Sequence, residues 1–462
     1  TDRYVVKGNT GAAIPYDTLA RAAGDIQTAI NYAYVGETVL VAAATYDSGG
    51  LLVFAVTNRV AINKAVTVQS LNNNPVNTVI MGAPDPISTN GPAAIRCVYM
   101  SPGAALVGFT LTNGATATSG DSRSECGGGM FAYSSSIISN CTISGNTAYG
   151  DGPNGVGGGG VCGGVYFNCT IAGNRIGPGR CIGGGAHDAI LSNCVISGNS
   201  APEANGTGGG AHRGVLYGCL VSNNTANAAS GSGGGIAGWS AALPCLAYNC
   251  TIISNSAWRC GGASDNSIIS NSTIIFNKAF NGAGGVRSST LFNCMIISNT
   301  SPDFASGAGS CTLSNCVLIG NGIQYGSFYN CLFMGSQTLL YGNNGTYFRN
   351  CTITGCRHIY TDAPAYIPMI NCISWSNLYP DVRVMATNSC GMPGDQNNYT
   401  NYSVGNITNN PMFIVDGIGY GTNLVPGNYR LQSGSPCVDK GSNMAWMAGA
   451  LDLDGLPRIL KG

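Results

Sequence analysis

Two short runs stand in the same register of a repeating chain: Gly185-Ala-His187-Asp188 and Gly210-Ala-His212-Arg213. Histidine beside a carboxylate supplies an acid and a base. Trp239, Asp265 and Arg287 occupy matching places in later repeats and add an indole able to stack on a sugar ring, a second carboxylate and a cation. Glycoside hydrolysis needs two carboxylates roughly 5–10 Å apart, and Asp188 and Asp265 are the nearest match. Duplication alone also leaves like residues at like places, and an Asp–Arg pair between repeats needs only surface electrostatics. The seven residues are therefore a candidate ligand-binding stripe, and none is assigned a catalytic role.

The repeat that positions them is explicit. Eight copies place a cysteine, or its stand-in, before an aliphatic residue, two spacers and an asparagine. The asparagines are Asn146, Asn174, Asn199, Asn224, Asn255, Asn277, Asn299 and Asn321. The cysteines are Cys141, Cys169, Cys194, Cys219, Cys250, Cys294 and Cys316, with Ser272 standing in the sixth copy. Cysteines continue at Cys331, Cys351 and Cys372 without the asparagine. A period of roughly 20–30 residues marks a solenoid whose repeats bury their apolar faces against each other. Cys141 and Ile143 alternate with Thr142 and Ser144, the period of a strand. Stacked coils put cysteine over cysteine and isoleucine over isoleucine inside. Asparagine falls on asparagine at a corner, where it tolerates left-handed backbone and its amide bonds the next rung. A second ladder of glycines, such as Gly183–Gly185 and Gly208–Gly210, marks close backbone approach. No helical pattern follows these runs, so they do not read as phosphate loops.

Only 9% of residues are charged, 44% are hydrophobic and 69 of 462 are glycine, a composition of strands and tight corners. Twenty basic residues balance twenty acidic ones with no basic run, which disfavours nucleic acid. No apolar stretch approaches the roughly 20 residues that span a bilayer. The chain opens on Thr1, which reads as a mature secreted protein after signal removal. The ladder cysteines read as buried core hydrophobes, and better disulfide candidates are Cys126, Cys162, Cys181, Cys260, Cys390 and Cys437. No Cys-X-X-Cys occurs and the three histidines are not spaced as partners, so neither metal nor cofactor is expected.

Apolar residues at helical spacing over 14–35 predict an amphipathic helix with Asp17 as N-cap and Gly36 past its end, laid across the open solenoid end. The division is 1–37 for an N-terminal strand and capping helix, 38–387 for the coils, and 388–462 for irregular last coils and a tail, all one solenoid domain.

The helix and following Tyr32-Ala-Tyr-Val-Gly-Glu-Thr-Val-Leu-Val-Ala-Ala-Ala-Thr-Tyr46 resemble the start of secreted bacterial right-handed parallel β-helix proteins of the pectate-lyase-like superfamily. The glycine runs alternating with aliphatic-X-X-Asn are similar to repeats of the polymorphic outer-membrane protein family, which implies an adhesive surface role. The clustered acidic calcium ligands and paired basic residues that a pectate lyase resemblance requires are absent. The expectation is an all-β, right-handed parallel β-helix solenoid of about sixteen coils, spaced as stacked strands are. Its expected role is structural or adhesive at the cell surface, with self-assembly into homopolymeric fibres. The rivals are a polysaccharide lyase or glycosidase and a non-catalytic module binding extracellular polysaccharide.

Overall fold

The computed structural model describes residues 2–150, 157–179, 182–203, 205–302, 306–341, 345–360, 367–381, 384–391 and 405–457. They fall into two compact units, Thr1–Trp258 and Arg259–Gly462. Both are built as parallel β-helix, and among the described residues no helix is long and apolar enough to cross a membrane.

In the first unit each regular coil runs through three short strands. One coil contributes Ala186–His187, Ile190–Ser192 and Val195–Ser197, and each pairs in parallel with the equivalent strands before and after it. The shared register makes the columns. Ile143, Ile171, Ile196, Val221 and Ile252 form one stack, and Ile138, Tyr166, Leu191, Leu216 and Ala247 a second, all fully buried. Burying one such aliphatic side chain contributes roughly 1.5–3 kcal/mol.

The amide ladder carries as much of the design as the apolar stack. Asn199 Oδ1 accepts from the Asn174 backbone N–H at 2.9 Å and from Asn174 Nδ2 at 3.0 Å, while Asn199 Nδ2 donates to Ile171 O at 2.8 Å and to Asn224 Oδ1 at 3.0 Å. Asn146, Asn174, Asn224 and Asn255 continue the pattern, all buried. Left-handed backbone is not their contribution. That conformation falls on the neighbours, Asn193 at φ 52° before the cysteine and Gly198 at φ 62° before the ladder asparagine. The ladder asparagines are kept for their amides, because they end four-bond networks that no other side chain of that size closes. Glycine at 184 has its own reason: a Cβ there would stand 2.4 Å from Gly209 O.

The second unit repeats the plan through Thr273–Ile275, Met295–Ile297, Val317–Ile319, Leu332–Met334, Thr352–Thr354, Ile373–Trp375 and Cys390–Gly391, stacked in parallel. Asn277, Asn299 and Asn321 bond in series. Cys294, Cys316, Cys331, Cys351 and Cys372 are buried, as are Cys141, Cys169, Cys194, Cys219 and Cys250 in the first unit. Ladder thiols donate to the carbonyl two residues back, Cys294 to Phe292 O at 3.2 Å, and Ser272 Oγ makes the same bond to Ser270 O at 2.7 Å. That equivalence explains why serine is accepted there. Burial pushes the Cys97 and Cys245 thiols up to about 12 and raises Cys331 and Cys372, so these sulfurs are protonated and inert.

After the last stacked strand, Phe413–Val415 and Asn428–Leu431 form an antiparallel pair. The following segment is fastened to the outer asparagines of the coils. Asn371 Nδ2 donates to Ser442 O at 2.8 Å, Asn330 Nδ2 to Leu451 O at 3.1 Å, and Trp446 meets Tyr329 edge-on. Asp452 Oδ1 accepts from the Asp454 and Leu456 backbone N–H groups, and Asp454 pairs with Arg430.

Two expectations need correction. The helix runs only from Ile26 to Tyr32, capped by Asp25, whose Oδ1 accepts from Thr28 N at 2.8 Å. Residues 16–24 are diverted to the outer edge of strand Asp2–Val5: Tyr4 N donates to Tyr16 O, Ala23 N to Tyr4 O and Val6 N to Ala23 O. Backbone groups on an unpaired edge demand partners, and that demand overrides the helical spacing of Leu19, Ala22 and Ala23. Irregular chain pairs with the strand edge, and the shorter helix buries Ile26, Ala29 and Ile30. Nor does a disulfide join any described cysteine: Cys126 and Cys162 pack with Tyr99 and Phe131, and Arg287 donates to Cys260. Cys181 lies outside the described residues.

Candidate functional site

The first unit carries one outward column of unusual content. Its rungs are Ala61, Tyr99, Phe131, Cys162, His187, His212 and Ala237, each paired with the next in register. Residues at alternate positions of these strands face the core, so this column faces away from it. It is nevertheless almost covered: His187 is 6% exposed and His212 is 1%.

The cover comes from turns. Trp239 sits in a tight turn closed by its N–H to Leu243 O at 2.9 Å, and its indole meets the His212 ring edge-on at 6.0 Å. At the other end Phe54 and Tyr133 pack over Tyr99 and Phe131, and the Arg123 guanidinium lies 3.7 Å from the Phe54 ring. Arg96, fully buried, holds the loop carrying Arg123 by donating to Gly127 O, Cys126 O and Arg123 O. Nothing in local spacing marks Arg96 or this aromatic cluster, because both depend on chain segments far apart in sequence.

The polar centre is a connected network. The His187 and His212 rings stack at 5.2 Å with their Nδ1 atoms 3.2 Å apart, His187 Nε2 lies 3.3 Å from Asp188 Oδ2, and Arg213 Nε lies 3.1 Å from Asp188 Oδ1. Burial pulls His187 down to about 4 and lowers His212 as well, so both rings are neutral at pH 7. Neutrality then assigns the tautomers from the hydrogen-bond network. The carboxylate at Asp188 requires a proton on His187 Nε2, which leaves His187 Nδ1 as acceptor and His212 Nδ1–H as donor. His212 Nε2 is therefore a buried lone pair, and no group among the described residues bonds it. Asp188 and Arg213 both adopt left-handed backbone, φ 50° and 53°, at a corner where the preceding coil has Gly163 at φ 70°. For arginine that conformation costs about 1 kcal/mol, a strain retained where glycine would relieve it.

The stripe predicted from sequence is thus partly assembled. His187, Asp188, His212, Arg213 and Trp239 form one contact network in the first unit. Asp265 and Arg287 belong to the second, paired across neighbouring strands Ser264–Asp265 and Val286–Arg287. Among the described residues no group of three or more His, Cys, Asp or Glu is placed to hold a metal ion.

The histidines make a pH prediction. The unfolded chain binds a proton on His187 near pH 6.5 and the folded chain only near 4, so stability falls as pH drops from 6.5 to 4. The loss attributable to His187 levels off below pH 4 at about 3 kcal/mol. Urea unfolding across that range should show native protein losing that much more than His187→Gln, and equal pH slopes would contradict the buried neutral ring.

No protein-family model matches the chain, and no curated protein sequence matches it. Solved structures do match. They include pectate lyase Pel9A at 11% identity, covering 96% of this chain and 93% of that one with a TM-score of 0.28. The A-module of the Azotobacter vinelandii mannuronan C-5 epimerase AlgE4 matches at 14% identity, 87% and 99% coverage and a TM-score of 0.32. A PL6 alginate lyase in complex with a trisaccharide matches at 12% identity, 98% and 95% coverage and a TM-score of 0.32. The parallel β-helix of this chain stands on its own strand register. The resemblance to polymorphic outer-membrane repeats gains no support from these matches.

Proposed function

We propose that this is an extracellular carbohydrate-binding β-helix protein that takes a glycan against the outward column of its first unit. The carrying observation is the half-exposed indole of Trp239, 45% exposed, joined through His212 and His187 to the Asp188–Arg213 pair. An aromatic plate beside fixed donors and acceptors fits a sugar, which offers an apolar C–H face and a rim of hydroxyls. Phe54, Tyr133 and Arg123 extend the same chemistry along the column. Nothing in the described contacts supports assembly into fibres, and the backbone edge of strand Asp2–Val5 is already occupied.

A catalytic reading has one observation in its favour, the Asp188–His187–His212 series ending in an unbonded imidazole nitrogen. Against it, the network holds a single carboxylate, whose oxygens face Arg213 and His187, and the depressed His212 is a weak base at neutral pH. Binding and product release measured together on pectin, alginate, glycosaminoglycans and xylan test both readings. Retention without turnover, reduced in Arg213→Ala, is the expected result. Turnover abolished in His212→Gln would replace it with the enzyme reading, and absence of both would remove it.

A further inference from the structure

The second unit holds a cavity of about 990 Å³ between its last coils and the C-terminal segment, and two of its lining residues are Cys390 and Cys437. Cys390 belongs to the last described stacked strand, where its N–H donates to Cys372 O at 2.8 Å and its thiol to Asn409 O at 3.2 Å. Cys437 belongs to the segment that crosses the coils, held by its N–H to Ser435 Oγ at 3.1 Å, with Ser435 Oγ in turn on Pro411 O at 2.5 Å. Both residues face that one cavity, and each perturbs the other's ionisation, Cys437 being lowered and Cys390 raised. Among the described cysteines Cys437 alone is partly exposed, the others being buried. An accessible thiol sharing a cavity with a buried one is the arrangement of an attacking and a resolving cysteine.

We propose that Cys390 and Cys437 are a redox pair that closes to a disulfide, fastening the C-terminal segment over the cavity. The oxidant is a small disulfide of the glutathione class. Cys437 gives up its proton and its thiolate attacks one sulfur of the oxidant, forming a mixed disulfide and releasing one thiol that takes up the proton. Cys390 then loses its proton and attacks Cys437 Sγ, expelling the second thiol. Two protein thiols are oxidised by two electrons, and one oxidant disulfide is reduced to two thiols. The contact with Cys390 lowers the Cys437 pKa, which raises the attacking thiolate fraction. The ladder thiols Cys331, Cys351 and Cys372 line the same cavity but are each only 1% exposed, which leaves Cys437 as the thiol that meets the oxidant first.

The test equilibrates the full native chain with oxidised and reduced glutathione, quenches with acid and alkylating reagent, and maps unreduced peptides by mass spectrometry. The expected product is one cross-linked peptide pair containing Cys390 and Cys437, with proteolysis of the segment after residue 437 slowed several-fold and restored by reductant. Cys437→Ser should abolish both the cross-link and the protection. Accumulation of Cys437 only as its glutathione adduct, pairing with another cysteine, or proteolysis unchanged by oxidation would each overturn the proposal. Because Cys437 is partly exposed, its serine variant is expected to fold, and the native cross-link map stands without it.

Discussion

Asn199→Ala should lower unfolding stability by about 4 kcal/mol or more, although the replaced residue is polar and the new one fits any coil. The side chain closes four hydrogen bonds, and its loss leaves the Asn174 backbone N–H and one Asn174 amide hydrogen without their acceptor in a dry interior. It also takes one donor each from Ile171 O and Asn224 Oδ1, while Asn174 Nδ2 keeps Ile143 O and Asn224 Oδ1 keeps the residue 199 N–H. Each stranded buried group costs roughly 1–3 kcal/mol, and their shared network keeps the sum from being simply additive. Asn193→Gly is the matched control. Asn193 holds left-handed backbone at φ 52°, which glycine adopts without strain, so the change is expected to stay within about 1 kcal/mol. Equal losses from the two substitutions in urea unfolding would show that asparagine serves backbone geometry at both places.

Ile196→Asp should yield no folded protein. Ile171 and Val221 sit directly above and below it, all three fully buried, so the new carboxylate has neither water nor a cation. Ile196→Val, which removes one methyl group, is expected to cost about 1 kcal/mol. Cys194→Ser should also fold, since Ser272 makes the ladder hydrogen bond in its own coil. A cooperative thermal transition for Ile196→Asp near that of the native chain would refute the stacked core.

The coil architecture is legible because its causes are local and repeated: Ile196 and Asn199 keep the same offset as Ile171 and Asn174, and parallel register does the rest. Residues 16–24 mislead because their helical spacing is outweighed by the hydrogen-bonding demand of a strand edge that no local window contains. His187 and His212 mislead in the opposite direction. Alternation correctly places them outside the core, but His212 is covered by Trp239 and its turn, and His187 stacks on His212, contacts set by folding rather than by repeat position. Removing both imidazoles is therefore expected to destabilise the unit, where an exposed stripe would tolerate the loss. Arg96 had no sequence signal at all, since an arginine bonded to three backbone carbonyls is recognisable only when the loop that supplies them is in place.

The central claim is that the indole and the Asp188–Arg213 pair form a glycan-binding surface. Isothermal titration of native protein and Trp239→Ala with hexasaccharides of galacturonate, alginate, xylan and cellulose tests it most directly. Saturable binding of at least one of them, weakened about tenfold in the variant as expected for loss of one aromatic platform, is the predicted result. Absence of binding to all four, or the same affinity in Trp239→Ala, would contradict it.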